Sequence, residues 1–175
     1  MSGKSEIVMT LAIEPATFRR ILGHYPTGVC AITAMPPDGR PAAMIVGSFT
    51  SVSLDPALVA FFPDKASSSW PRIAEAGRFC VNVLGDDQEA LCRTLASKDP
   101  DKFVGVAHRP SALGSPVLDG AIAWIDCTIY AVHDAGDHHL VLGSVHALDV
   151  HHPGAPLLFH RGTYGKLAPP PCSRT

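Results

Sequence analysis

The sequence has few charged residues. Only 17% of its 175 residues are Asp, Glu, Lys or Arg, against about 25% in typical soluble domains. The net charge is -2 and no basic run is present, which argues against binding to nucleic acid or to an anionic membrane. A shortage of charge also indicates that part of the surface is covered, most simply by a second copy of the chain.

Paired cysteines and long apolar runs are also missing. The five cysteines are an odd number without a CxxC pair, and four of them lie in otherwise apolar segments. We interpret these four as buried thiols in a reducing compartment. The apolar run 7–13 is too short to span a membrane and ends at Glu14 without a cleavage site of small residues. The sequence therefore predicts a cytoplasmic protein.

The sequence lacks the common motifs of metal sites and hydrolases. It has nine histidines but no HExxH motif, and adjacent histidines on a strand, such as His138 and His139, point to opposite faces. Pairs across strands, His138 with His146 or His151 with His160, remain alternatives. There is no GxSxG motif and no visible carboxylate pair. We therefore predict neither a metal ion nor a catalytic side chain.

Hydrophobic periodicity predicts many strands and few helices in one domain. Helices are expected at 15–24, 68–76 and 86–96, and strands at 28–35, 41–48, 57–62, 78–84, 121–134 and 138–150, with a last ordered piece at 157–167. The elements do not alternate as βαβ units, and no GxGxxG motif or P-loop follows a strand. The pattern therefore favours a mainly β fold, a closed or Greek-key barrel with short peripheral helices.

The boundaries of this domain follow from composition. We predict an N-terminal extension at 1–13, a barrel domain at 14–167, and a Pro-rich tail at 168–175 that is expected to be disordered.

The stretch 44–70 carries the densest set of hydroxyl groups. It runs from an apolar strand through alternating Ser and Thr, turns at Asp55-Pro56, resumes as an apolar run, and ends in Ser67, Ser68 and Ser69 where a helix should begin. Hydroxyls and unpaired N–H groups at such a position favour an anionic phosphate. Ordinary turn residues and helix N-caps are the alternative interpretation.

The turn at 136–138 is a second candidate. Gly136, Asp137 and His138 join the two longest predicted strands. They place an imidazole at the mouth of the predicted barrel, although Gly and Asp also suit an ordinary hairpin.

Six ordered motifs lie between Phe18 and Tyr164. They are PTGVCAIT, SFTSVSLDPALVAFF, KASSSW, RFCVNVL, LGSPVLDG and GDHHLVLGSV. Together they resemble the short-chain flavin reductases with an FMN-binding split barrel, the small components of two-component flavin-dependent monooxygenases. Two positions depart from the usual pattern of that family: Ala57 stands where many relatives have a second Pro, and Gly47 where Ser is frequent.

The resemblance implies a homodimer in which each barrel binds FMN or FAD near the subunit interface, with NADH or NADPH as co-substrate. It implies flavin-ring and ribityl contacts at Thr27, Met44, Ile45, Val46, Gly47, Ser48, Phe49, Thr50, Ser51, Val52 and Ser53. It implies phosphate contacts at Lys65, Ser67, Ser68 and Ser69, with Phe103 beside the flavin or its adenylate. On the nicotinamide side it implies His138, with Arg161 and Tyr164 helping to hold the dinucleotide.

In that family, reduced flavin diffuses to a separate oxygenase. Hydride transfer is chemistry of the two cofactors, so the protein needs only to stack the rings and set their distance. A non-catalytic flavin carrier or sensor is the alternative, since fold does not fix function. A third possibility is a tightly bound flavin that reduces iron or another small acceptor. The sequence shows no cluster of Arg residues that would form a pocket for the 2′-phosphate of NADPH. This favours NADH as the co-substrate.

Overall fold

The structure, a computed structural model, describes residues 13–167. The predicted tail and nearly all of the predicted N-terminal extension lie outside the described residues. The helices are α1 (Pro15–Leu22), α2 (Trp70–Ala76) and α3 (Glu89–Ala96). The strands are β1 (Thr27–Gly28), β2 (Cys30–Ala34), β3 (Ala42–Val46), β4 (Thr50–Leu54), β5 (Ala57–Phe61), β6 (Arg78–Val83), β7 (His108–Pro110), β8 (Pro116–Leu118), β9 (Ala123–Ala135), β10 (His138–Val150), β11 (Leu158–His160) and β12 (Thr163–Gly165).

Seven strands form the central sheet, in the order β3-β2-β6-β9-β10-β5-β4. Every neighbouring pair in it is antiparallel. Strands β3 and β4 are the two edges, and small sheets β1-β11-β12 and β7-β8 complete the fold. The mainly β architecture with few helices confirms the prediction from the sequence. No helix of the described residues is long and apolar enough to cross a membrane.

Strand β2 explains why part of the sequence is continuously apolar. All five of its residues are buried, because both faces of the sheet are covered there. Ile32 packs in one core cluster with Phe61 and Phe79. Its neighbour Ala31 packs in a second cluster with Leu118. A strand covered on both sides shows no alternation, so its sequence is a run rather than a period of two.

The LGSPVLDG motif has a structural role around Asn82. The Asn82 side chain is fully buried. Its Nδ2 donates to the Thr33 hydroxyl at 3.0 Å, and its Oδ1 accepts from the Leu118 N–H at 2.7 Å. The Thr33 hydroxyl in turn donates to the Pro116 carbonyl. Since buried polar groups require partners, this network fixes the short strand β8 against the sheet.

The β9–β10 hairpin is the longest feature of the fold. Its two 13-residue strands pair from Ala135 with His138 at the turn to Ala123 with Val150 at the other end. Gly136 at the turn has a φ of 67°, a conformation that glycine adopts at no steric cost. Near the middle, the register shifts between Leu142 and Gly143.

Candidate functional site

A cavity of about 640 Å³ lies beside the edge strand β3. The end of β3 forms one wall, the segment 64–69 forms a second, and the end of α3 with the following loop forms a third. Its lining consists of Met44, Ile45, Val46, Gly47, Ser48, Phe62, Asp64, Ala66, Ser67, Ser68, Ser69, Leu95, Ala96, Ser97, Lys98, Lys102 and His138. The structure therefore brings together the β3 residues, the three serines and the histidine that the sequence and its resemblance had indicated.

The β3 wall is apolar and depends on Gly47. A Cβ added at Gly47 would lie 2.6 Å from Oγ1 of Thr27, which is closer than side-chain carbons approach in real structures. The glycine therefore lets β1 pack directly behind the wall. Thr27 itself is not part of the lining and supports the wall from outside the cavity.

The hydroxyl groups of the site fall into two sets. Ser48 Oγ accepts a hydrogen bond from the N–H that follows β5, at 3.1 Å. Ser67 Oγ accepts from the N–H groups of Ser69 and Trp70, at 3.2 and 3.3 Å. These two hydroxyls hold the backbone. The Ser68 hydroxyl has no hydrogen-bond partner among residues 13–167, so it remains available to a ligand.

The predicted helix after the serines is short. It begins at Trp70 and has only seven residues, and its N-cap Ser69 makes no capping hydrogen bond. A helix of this length contributes little charge at its N-terminus. The positive charge of the site must therefore come from side chains.

Lys98 and Lys102 supply this positive charge. Lys102 Nζ donates to Ser69 Oγ at 3.1 Å and to the Ser97 carbonyl at 3.4 Å, and burial lowers the pKa of Lys102. Within the described part of the chain, no carboxylate lies within 4.0 Å of either lysine ammonium. Sequence reasoning missed both lysines, because neither lies near the serines in the chain.

Lys65, for which the resemblance implies a phosphate contact, points toward a carboxylate outside the cavity lining. Its Nζ lies 2.9 Å from Asp134 Oδ1, and it is absent from the cavity lining. The hydrogen bond from Lys65 lowers the pKa of Asp134. A phosphate contact by Lys65 stays a prediction, and it would require exchange of this carboxylate for the phosphate.

His138 lies at the mouth of the cavity, with 41% of its side chain exposed. Its Nδ1 is 2.7 Å from Asp137 Oδ1, and this contact lowers the pKa of Asp137. Two backbone bonds attach the hairpin tip to the segment before the serines: the Lys65 N–H donates to the Asp137 carbonyl at 3.0 Å, and the His139 N–H donates to the Pro63 carbonyl at 2.9 Å. These bonds hold the backbone on either side of His138 against the segment 63–65, which precedes the serines.

The other residues suggested by the resemblance lie outside the cavity lining. Phe103 packs edge-on against His108, with ring centroids 5.5 Å apart. Tyr164 accepts a hydrogen bond from the Cys92 thiol at 3.2 Å, and burial raises its pKa to about 12. Arg161 sits at a tight turn with a φ of 52°. The remaining ones are in the β3–β4 loop and the edge strand β4: Phe49, Thr50, Ser51, Val52 and Ser53. Their roles at the flavin stay predictions.

The lining as a whole suits one class of ligand. An apolar wall, a hydroxyl cluster and two ammonium groups in one cavity match a planar aromatic ring that carries a phosphate. Within residues 13–167, no group of three or more His, Cys, Asp or Glu side chains is placed to hold a metal ion.

Comparison with known proteins identifies the relatives of this chain. The sequence model described as "Flavin reductase like domain" matches residues 22–168. A flavin reductase of Pseudomonas putida is 57% identical over 94% of this chain and 96% of its own length. The reductase subunit of a flavin-dependent monooxygenase from Mycobacterium tuberculosis is 46% identical over 92% of this chain and 87% of its own. An NADH:FAD oxidoreductase from Streptomyces globisporus, solved with NAD and FAD fragments, superposes with a TM-score of 0.84 at 31% identity, covering 94% of this chain and 99% of the other.

Proposed function

Because this chain belongs to the family of flavin reductase like domains, we propose that it is an NAD(P)H:flavin oxidoreductase that supplies reduced FMN or FAD to a separate monooxygenase component. The observation that carries the proposal is the 640 Å³ cavity, in which an apolar strand, a serine cluster and Lys102 meet beneath His138. The relatives named as flavin reductase and as monooxygenase reductase subunit support it. A bound flavin supplies the ring that accepts the hydride.

We assign the residues of the cavity by their chemistry. The β3 wall packs against the flavin ring and excludes water from one of its faces. Ser68, Ser69 and Lys102 bind the phosphate through charge-assisted hydrogen bonds. His138, held by Asp137, orients the nicotinamide at the open side. No side chain needs to transfer a proton in this scheme, so the Asp137 carboxylate is needed only to hold the His138 imidazole.

We propose that the protein is a homodimer. The apolar face of α1 is exposed, with Phe18, Ile21 and Leu22 each more than half accessible, and Leu54 on the edge strand β4 is 96% exposed. Apolar surface of this kind is typical of an interface. Light scattering should give twice the chain mass, and Leu54→Asp should shift the equilibrium toward monomer; a monomeric wild-type protein would contradict the proposal.

We place the protein in the cytoplasm and treat residues 14–167 as its functional domain. Cys30, Cys80, Cys92 and Cys127 are all buried and unpaired, which fits a reducing compartment.

The decisive experiment is NADH oxidation, followed by absorbance under air, with and without added flavin. Turnover that rises and saturates with free FMN or FAD supports a reductase that treats flavin as a diffusible substrate. Flavin binding without NADH oxidation would instead support a carrier or sensor. Turnover that needs another acceptor, at constant bound flavin, would indicate a permanent cofactor. Mixing the protein with an oxygenase component across a dialysis membrane tests whether reduced flavin diffuses between them.

A further inference from the structure

A second, smaller cavity of about 210 Å³ adjoins the first. The two cavities share the cluster of Ser68, Ser69, Ser97, Lys98 and Lys102. A ligand whose phosphate lies at this cluster therefore has room to continue beyond it. His138 lines only the larger cavity, so the second cavity extends from the phosphate end of the site rather than from the nicotinamide end.

Arg72 lines the second cavity but not the first. Its Nη2 is held by both carboxylate oxygens of Asp38 at 2.9 Å and by the Arg40 carbonyl at 2.7 Å. Among residues 13–167, its Nε and Nη1 have no hydrogen-bond partner. The guanidinium is thus fixed in place with two donor nitrogens to spare, the arrangement that suits a phosphate.

The second cavity has more basic than acidic side chains in its lining, and because Asp38 balances the charge of Arg72, the excess positive charge comes from the lysines. Lys98, Lys102 and Arg72 face one acidic residue of the lining, Asp99. An oxygen of the Asp99 carboxylate already accepts the backbone N–H of Asp101 at 2.8 Å. Burial lowers the pKa of Lys102, and a nearby phosphate would favour its charged form.

We propose that this second cavity is the subsite for the second phosphate of FAD, bound by Arg72 and Lys98, and that FAD is the preferred flavin of this protein. The inference rests on the proposed function. FMN ends in one phosphate, which the shared serine and lysine cluster accommodates. FAD continues into a second phosphate and an adenosine, and only this longer ligand gains from the adjoining cavity. NADH also contains two phosphates, so the test must separate these two sources.

The test is equilibrium titration of the full chain with FMN and with FAD, followed by flavin fluorescence. The wild-type protein should bind FAD more tightly. Arg72→Gln should weaken FAD binding roughly tenfold or more, the size expected for loss of a charge-assisted hydrogen bond, while FMN binding changes little. Lys102→Gln should weaken binding of both flavins, because Lys102 lines both cavities.

Two control variants distinguish the effect of the Arg72 charge from a purely structural role of Arg72. Asp38→Asn keeps the Arg72 charge and its contact with the Arg40 carbonyl, so FAD affinity should fall much less than in Arg72→Gln; equal loss for Asp38→Asn and Arg72→Gln would mean that Arg72 acts only as a structural link, which overturns the proposal. Arg40→Gln removes an exposed arginine that pairs with Asp101 at 2.9 Å and lines neither cavity. It should leave the affinities for both flavins unchanged.

The remaining outcomes are distinguishable. Equal affinity of the wild-type protein for FMN and FAD overturns the subsite while the reductase function stands. If Arg72→Gln raises the KM for NADH, with FMN as acceptor, and spares FAD binding, the cavity belongs to the nicotinamide dinucleotide and the proposal is wrong. Preferential FAD binding without NADH oxidation supports the subsite and overturns the reductase function. A protein that binds neither flavin overturns both.

Discussion

Gly143 is the described glycine at which an added methyl group meets the closest atom. A Cβ at this position would lie 2.5 Å from Cζ of Phe79 and 3.3 Å from Cβ of Cys127. Phe79 is fully buried and packs edge-on against Phe61 with ring centroids 5.1 Å apart. Because buried side chains are closely packed, the ring can move aside only at a cost. We predict that Gly143→Ala destabilises the fold by overpacking the core cluster that contains Phe61 and Phe79.

The expected size follows from this crowding. Overpacking of a well-packed core costs typically about 1–3 kcal/mol, and the rigid surroundings of Phe79 place Gly143→Ala in the upper part, about 2–3 kcal/mol. For a domain of this length, each kcal/mol lowers the Tm by about 2–4 °C. The Tm should therefore fall by roughly 4–12 °C.

A double-mutant cycle tests the cause. Phe79→Leu alone should be destabilising, but combined with Gly143→Ala it should cost less than the sum of the two single changes, by about 0.5–3 kcal/mol. Gly165→Ala in β12 is the matched control, because no atom lies within 4 Å of the added Cβ. Urea unfolding at fixed protein concentration gives the free energies of unfolding of the wild type, the two single variants, the double variant and the control. Additive costs for Phe79 and Gly143, or equal costs for Gly143→Ala and Gly165→Ala, would refute the reasoning.

Three further predictions concern the site and the core thiols. Gly47→Ala should push on Thr27 and weaken flavin binding in a fluorescence titration; unchanged affinity would show that the wall tolerates the methyl group. His138→Ala should raise the KM for NADH or lower kcat while flavin affinity stays nearly intact, and unchanged kinetics would remove His138 from the nicotinamide site. Burial raises the pKa of the Cys30 and Cys127 thiols from 9.0 to about 12, so above about pH 9 the unfolded chain loses thiol protons that the native state keeps, and the free energy of unfolding should fall as pH rises toward 12. Urea midpoints should show a shallower fall for Cys30→Ala; an equal fall would contradict this assignment.

Local sequence patterns predict most of the elements, because the forces that set them act over a few residues. The alternation of Phe79, Val81 and Val83 corresponds to β6, and Asp38-Gly39 forms the turn between β2 and β3. Predicted ends differ by a few residues where capping decides them. The helix expected from Asp86 begins at Glu89.

The strand order and the positively charged part of the site depend on contacts between segments that are distant in the chain. Nothing in the sequence around β6 indicates that it lies between β2 and β9. Likewise Lys102 contacts Ser69 across 33 positions of the chain, whereas Lys65, much closer in sequence, turns toward Asp134. The serine cluster could be predicted because its members are adjacent, but the lysines that give it charge could not.

The two backbone bonds between the hairpin tip and the segment 63–65 have a thermodynamic consequence. Because His138 and the serine segment are attached to each other, a flavin that orders the serines also reduces the freedom that His138 must lose when a dinucleotide binds. Such coupling is reciprocal, so NADH would tighten flavin binding by the same factor by which flavin tightens NADH binding. A protein that releases its flavin after each turnover would then do so more readily once the oxidised dinucleotide has left.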